Sequence, residues 1–240
     1  MNIILLNAED WLDEQSVLLR DRRATHICTV LKSKVGDTLR VGRIGGQCGQ
    51  GIVEALEPNA VRLRVSLSEA PPARHRFDIV LALPRPKMLR RMLRQCAEFG
   101  VRDLHLINSA RVEKSYWQSP LLKQDNLKEA LQAGLERARD TIPPAIHLHK
   151  RFRPFVEDEL KPLCAGRPCW ITDHSGRHSL SDVATRPAVV MIGPEGGFVP
   201  FELDLAASQL AQSVNLGDRI LSADTALTTV LAQALPASPS

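Results

Sequence analysis

The chain has 240 residues, 44% of them hydrophobic but only 4% aromatic, so aliphatic side chains must fill its core. A formal charge of +4 is a mild basic excess, which suits an anionic partner without requiring one. No apolar run approaches the roughly 18 residues needed to span a bilayer, and "MNIILLNAEDWLDE" lacks the basic region and cleavage site of a signal peptide, so a cytoplasmic protein without membrane contact is expected.

In chain order, a short helix is predicted from about Arg22 to Leu31, with Asp21 as its N-cap. "DTLRVGRI" and "GIVEALE" then flank the turn Gly45-Gly46-Gln47, and "AVRLRVSLS" alternates after the turn signal Pro58-Asn59. These read as short antiparallel strands of a small β-barrel over residues 1–70. "EAPPARHR" marks a domain boundary, with 71–76 as linker.

Beyond it strands and helices alternate. "FDIVLAL" is a near-continuous apolar strand, a helix covers about Pro86 to Phe99 with Gly100 at C′, and "DLHLIN" is the next strand. A helix from about Lys123 to Arg139 follows, then "AIHLH", a helix near Val156 to Leu163, and "CWITD". "AVVMI", a helix from Pro200, "SVNLG" and a last helix from about Thr225 to Leu235 complete the pattern. Such alternation predicts an α/β domain, 77–236, built on a mostly parallel sheet. The "PASPS" tail is expected to be disordered, with 237–240 outside any domain.

Cys28, Cys48, Cys96, Cys164 and Cys169 form no C-x-x-C pair, and an odd number cannot pair completely. Reduced thiols are expected, and no metal site, because no two metal-type ligands show the usual spacing. His147 and His149 alternate on a predicted strand and read as ordinary polar residues of a strand end.

"IGPEGGFVPFEL" feeds a strand into a glycine turn and a helix. It matches neither the G-x-G-x-x-G nor the G-x-x-x-x-G-K-[ST] phosphate fingerprint. Paired glycines permit positive φ and close backbone approach, and ligands bind at strand ends of parallel sheets. A ligand-holding loop and a tight connection both fit these residues. In "GDRILSADTALTTVL", Ser222 or Asp224 can cap the final helix through its side-chain oxygen, and two such strand-to-helix turns can wall one pocket.

Two stretches are basic. Lys87, Arg90, Arg91 and Arg94 fall at i, i+3, i+4 and i+7 of one helix, with no acid from Arg85 to Arg94, and read as a phosphate-contacting stripe. Residues 20–43 hold Arg20, Arg22, Arg23, Lys32, Lys34, Arg40 and Arg43, with His26 among them, against Asp21 and Asp37. That is a local basic edge of the kind an RNA-binding barrel uses. No G-x-S-x-G or H-E-x-x-H is present.

Five segments, "HICTVLKSKVGDTLRV", "KMLRRMLRQCAEFGV", "GLERARDTIPPAI", "IGPEGGFVPFEL" and "LGDRILSADTALT", together resemble the RsmE family, SPOUT-class enzymes that use S-adenosylmethionine to methylate N3 of a uridine in 16S ribosomal RNA. The resemblance implies a PUA-like β-barrel that docks RNA, a C-terminal α/β trefoil-knot domain and a homodimer. It implies a donor site at Leu83, at Ile192, Gly193, Pro194, Glu195, Gly196 and Gly197, and at Leu216, Gly217, Leu221, Ser222, Ala223, Thr225 and Ala226. Asp224 and Glu98, with Glu195 behind them, are the candidate proton acceptors. Arg20, Arg22, Arg23, His26, Lys32, Arg40, Lys87, Arg90, Arg91 and Arg94 are the candidate RNA contacts. Where the family reads Leu-Arg-Thr-Glu-Thr-Ala, this chain has Leu221-Ser222-Ala223-Asp224-Thr225-Ala226, without the arginine and with a shorter carboxylate. Donor binding through the backbone tolerates that change; a role of the arginine in orienting uracil does not. The other two readings are a non-catalytic RNA-binding or ribosome-assembly factor with a degenerate donor site, and the same chemistry on a different RNA.

Overall fold

The computed structural model describes residues 1–57 and 59–235, so Pro58 and the "PASPS" tail lie outside the described residues. The chain forms two compact units: Met1–Pro72 with Gln132–Pro143, and Ala73–Leu131 with the residues from Pro144 onward. The break between Pro72 and Ala73 falls within the expected linker. The return of Gln132–Pro143 to the first unit has no counterpart in the sequence reading. It is held by polar contacts: the Asn2 N–H donates to the Glu136 carbonyl (2.8 Å), and the Gly45 N–H to the Thr141 carbonyl (2.8 Å).

In the first unit, β1 (Ile4–Leu6), β2 (Ser16–Leu19), β3 (Thr38–Arg43), β4 (Cys48–Glu57) and β5 (Ala60–Glu69) form one sheet in the order β1-β3-β4-β5-β2. The two edge strands, β1 and β2, escaped the sequence reading because three or four residues carry too little alternation. β1 runs parallel to β3, whereas the other pairings are antiparallel. Alternation is clearest on β5, where Val61, Leu63 and Val65 enter the core and Arg62 and Arg64 face outward. Leu6, Val17, Leu19, Ile27, Val41 and Val53 complete that core. Helix α1 (Arg22–His26) is capped by the Asp21 side chain, which accepts the Arg23 N–H at 2.9 Å. From Ile27 to Leu31 it continues as a wider π turn.

In the second unit seven strands lie parallel: β6 (Phe77–Ala82), β7 (Asp103–Ile107), β8 (Ala145–His149), β9 (Cys169–Thr172), β10 (His178–Ser179), β11 (Ala188–Ile192) and β12 (Ala211–Asn215). Their order is β10-β12-β9-β11-β6-β7-β8. Every residue of β6 and β11 is buried, as expected of central strands covered on both faces. The crossovers carry α2 (Pro86–Glu98), α3 (Gln124–Ala138), α4 (Phe152–Pro154), α5 (Leu160–Cys164), α6 (Leu180–Val183), α7 (Pro200–Gln209) and α8 (Ala223–Ala232). From Gln132 on, α3 belongs to the first unit. α2 opens with Pro86 in its first turn and ends before Gly100, whose φ of +71° suits glycine. It buries Leu89, Met92, Leu93, Cys96 and Ala97, leaving the basic stripe on the other side.

The chain lays β6, β7 and β8 outward in one direction. It then places β9, β11 and β12 on the other side of β6, with β11 directly beside it. Such reversals of winding leave a crevice at the carboxyl ends of the strands.

Candidate functional site

Three loops leave the carboxyl ends of β11, β12 and β9 and enclose a cavity of about 480 Å³. The β11 loop is a tight turn, closed by the Gly197 N–H donating to the Pro194 carbonyl at 2.8 Å. Gly197 has φ +75°, and a Cβ on Gly193 would stand 3.2 Å from the Phe198 backbone nitrogen and ring, so both positions favour glycine. After the turn, the buried Glu202 carboxylate accepts the Val199 N–H (3.0 Å), the Ala110 N–H (2.7 Å) and the Ser109 hydroxyl (3.1 Å). It thereby ties the start of α7 to the loop after β7. Arg111, next in that loop, donates to the Gly196 carbonyl and lines the cavity.

The β12 wall holds Leu216, Gly217, Arg219, Ile220 and Leu221, and the first turn of α8 adds Ala223 and Ala226. Asn215 braces it, accepting the Gly217 N–H at 3.0 Å and donating to the Gly176 carbonyl at 2.8 Å. Ile220 is 88% exposed, an unusual state for so apolar a side chain at a cavity wall. The β9 end contributes Thr172, Asp173 and His174.

Of the expected donor residues, Ile192, Gly193, Pro194, Glu195, Gly196, Gly197, Leu216, Gly217, Leu221, Ala223 and Ala226 meet around this one cavity. Leu83, Ser222 and Thr225 are not in its wall; Leu83 is buried and donates its N–H to Ile107 at 2.9 Å. Sequence reasoning missed Arg111, Thr172, Asp173, His174 and Phe198, and took in Arg219 and Ile220 only as part of the loop from Leu216 to Ala226. "CWITD" was legible as a strand, but its place beside both β11 and β12 was not.

Ser222 is the α8 N-cap residue, yet its side chain does not make the expected cap. The Ser222 hydroxyl instead donates to the Asp224 carboxylate at 2.6 Å, and Arg91 stands 3.6 Å from that carboxylate. The Ser222 hydrogen bond, helped by the charge of Arg91, holds the Asp224 carboxyl below its usual range. Glu195 is paired with Arg85 at 2.8 Å. Glu98 is exposed at the far end of α2, about 18 Å along the helix from Pro86 at 1.5 Å per residue. Because α2 starts where β6 ends, this puts Glu98 at the opposite end of the sheet from the cavity. It is no longer a catalytic candidate.

A family model described as the RNA methyltransferase domain matches residues 71–235. Ribosomal RNA small subunit methyltransferase E of Treponema pallidum is 30% identical over 232 residues, 94% of this chain and 87% of the relative. This chain belongs to that RNA methyltransferase family. Solved structures agree on the fold. Ribosomal RNA small subunit methyltransferase E from Neisseria gonorrhoeae, bound to S-adenosyl methionine, superposes with a TM-score of 0.74 at 20% identity, over 97% of this chain and 95% of that one. A Legionella pneumophila methyltransferase in complex with the same cofactor gives 0.74 at 20% identity, over 96% and 95%.

Arg23 is 5% exposed; it pairs with Asp10 at 2.6 Å and Asp21 at 2.8 Å and donates to the Leu5 carbonyl. It is a buried structural cation and not an RNA contact. Arg22 pairs with Glu136, and Arg40 with Glu69 at 2.8 Å. His26 is half-buried, and burial lowers its pKa. Arg20 and Lys32 are exposed. On α2, Lys87, Arg91 and Arg94 are exposed, while Arg90 is half-buried and 3.6 Å from Glu129. In the first unit Arg43 lies over the Trp11 ring, 5.7 Å from its centroid, beside a groove lined by Gln50, Arg64 and Ser66.

Proposed function

We propose that this chain transfers a methyl group from S-adenosylmethionine to N3 of a uridine in small-subunit ribosomal RNA. The observation that carries the reading is the cavity at the ends of β9, β11 and β12, in a chain whose relatives are named for methylation of small-subunit ribosomal RNA.

The residues present fit the donor. The cavity's volume of about 480 Å³ lies in the range of small-molecule pockets, about 300–1,000 Å³. The ligand has no phosphate, which accords with a glycine loop that lacks a lysine. Backbone N–H and C=O groups from 193–197 and 216–221 can read an adenine edge, and Ile192, Leu216 and Leu221 can sandwich its faces. Arg111 and Arg219 can hold a carboxylate, and Asp173 an ammonium. When bound, the donor supplies an electrophilic methyl on a sulfonium.

The chain's own work is on the acceptor. A neutral uridine N3 has no free lone pair, so its proton must leave to water or to a positioned carboxylate before attack. Asp224, beside Ala223 and Ala226 of the cavity wall, is the first candidate acceptor, with Glu195, in that wall and paired with Arg85, behind it. The lowered pKa of Asp224 keeps it ionised but makes it a weak base, so Arg91 and the loop N–H groups must also lower the cost of the uracil anion. The absent family arginine has a stand-in of the same charge in Arg91, which reaches Asp224 from α2. Orientation of the two reactants supplies much of the acceleration.

The finer architecture belongs to the same reading. The first unit serves as a PUA-like RNA-docking module, the α/β unit as a trefoil-knot domain, and the protein acts as a cytoplasmic homodimer. The test is mass spectrometry of ribosomal RNA from a strain lacking the gene. N3-methyluridine of the small subunit should vanish and return on complementation; its persistence would overturn the assignment. Calorimetry with S-adenosylmethionine should give saturable heat, and its absence would leave only an RNA-binding role.

A further inference from the structure

Away from the donor cavity, on the β7–β8 side of the sheet, three histidines and two carboxylates converge. β7 and β8 are in parallel register with His105 opposite His147. Asp103 lies two residues before His105 and His149 two after His147, so all four side chains share one face. One ligand atom each from Asp103, His105 and His147 lies within 4.8 Å of the others.

The hydrogen bonds around them fix the tautomers. His149 Nδ1 is 3.2 Å from the Glu159 carboxylate, so it carries a proton. A neutral His149 then offers Nε2 as an acceptor, and His105 Nδ1, 3.0 Å away, must be the donor. That leaves the lone pair of His105 on Nε2, on the side of the ring turned from His149. This atom is buried and has no hydrogen-bond partner, in a residue only 7% exposed. An orphaned buried acceptor costs stability unless something takes it. A carboxylate–histidine relay orienting a ligand imidazole is the usual outer shell of a metal site. Phe155 packs against the His149 ring, with centroids 4.5 Å apart, and helps to fix its orientation.

We propose that Asp103, His105 and His147 bind a divalent transition-metal ion of the zinc class. Two imidazoles and one carboxylate suit Zn²⁺, Co²⁺ or Ni²⁺ and leave a coordination position open. His147 Nε2 is 2.9 Å from Asp103 Oδ1, and the ion takes the place of the proton between them, which moves to His147 Nδ1. Arg102 holds the other Asp103 oxygen at 3.1 Å. The His105 and His147 rings stack at 4.3 Å, so one must tilt for the lone pairs to converge; the His147 side chain, 42% exposed, has the room and gives the ion its entry. The expectation of no metal site rested on local spacing and could not register ligands from two strands some forty residues apart.

The experiment uses the full chain, equilibrated with zinc chloride and freed of excess. About one zinc per chain should be retained, and Co²⁺ should give d–d absorption in the visible. His147→Gln and Asp103→Asn should abolish both signals. Glu159→Gln should weaken zinc at least about tenfold by releasing the relay. His178→Gln, at an exposed histidine on another strand, should change neither signal. His147 and Glu159 are accessible enough for their variants to fold if His105 variants do not. Failure of the wild-type chain to retain zinc, or retention undiminished in His147→Gln and Asp103→Asn, overturns the proposal. Neither result bears on S-adenosylmethionine binding.

Discussion

Two stretches of this chain are dense in cations, residues 20–43 in the first unit and 85–94 on α2, and folding leaves them in different states. In the first, carboxylates remote in sequence reach the guanidinium groups: Asp10 takes Arg23, Glu136 takes Arg22 and Glu69 takes Arg40. In the second, remote carboxylates also reach in, Glu195 to Arg85, Glu129 to Arg90 and Asp224 to Arg91, but the apolar face of α2 keeps the basic side outward, and Lys87, Arg91 and Arg94 remain exposed. A local excess of charge therefore does not specify available charge. The helix stripe stayed outward because its periodicity and its lack of acids were both local properties. The first cluster lost Arg23 to a burial that only tertiary structure supplies.

The largest effect that separates the two is on folding. Arg23→Ala removes a buried cation and leaves Asp10, itself 5% exposed, without its partner. Breaking such a pair costs about 3–5 kcal/mol. Urea unfolding should show a free energy lowered by that much, through a lower midpoint at an unchanged m-value. A loss below about 1 kcal/mol would return Arg23 to the set of surface cations and remove the contrast. On α2 the opposite is expected. Replacing Lys87 and Arg94 together by Ala should leave unfolding nearly unchanged. It should make the salt dependence of RNA binding shallower, by about one unit of log–log slope for each phosphate no longer neutralised. An unaltered slope would make the stripe a merely solvated face.

The same division between local and remote determines what the sequence made legible. In the α/β unit the central strands β6 and β11 were readable as continuous apolar runs and α2 by its own stop at Gly100, whereas β10 and α6 are too short to carry a pattern and went unread. The cavity was half readable. Gly193–Gly197 and Leu216–Ala226 announce themselves by glycine, proline and helix start. Arg111 and Asp173 do not, since they reach the cavity only through the Glu202 brace and the β12-β9-β11 order. The return of Gln132–Pro143 to the first unit was invisible for a similar reason. It rests on scattered polar contacts, among them Asn2 to Glu136 and Arg137, Gly45 to Thr141 and the Arg22–Glu136 pair, and not on any periodic pattern.

The smallest expected effect probes the middle case. Arg40 and Glu69 pair at 2.8 Å, but their side chains are 39% and 47% exposed. An exposed pair of this kind contributes about 0.2–1 kcal/mol and is screened by salt. Arg40→Ala should therefore barely move the unfolding midpoint, and less at high salt than at low. Because the pair is weak, Glu69 cannot withhold Arg40 from a phosphate that approaches it. If this edge of the first unit meets RNA, Arg40→Ala should weaken binding while Glu69→Gln, which frees the guanidinium, should strengthen it. Opposite signs from the two variants would restore Arg40 to the RNA surface despite its intramolecular partner. No change in either would leave α2 as the one basic stretch of the two that meets the substrate.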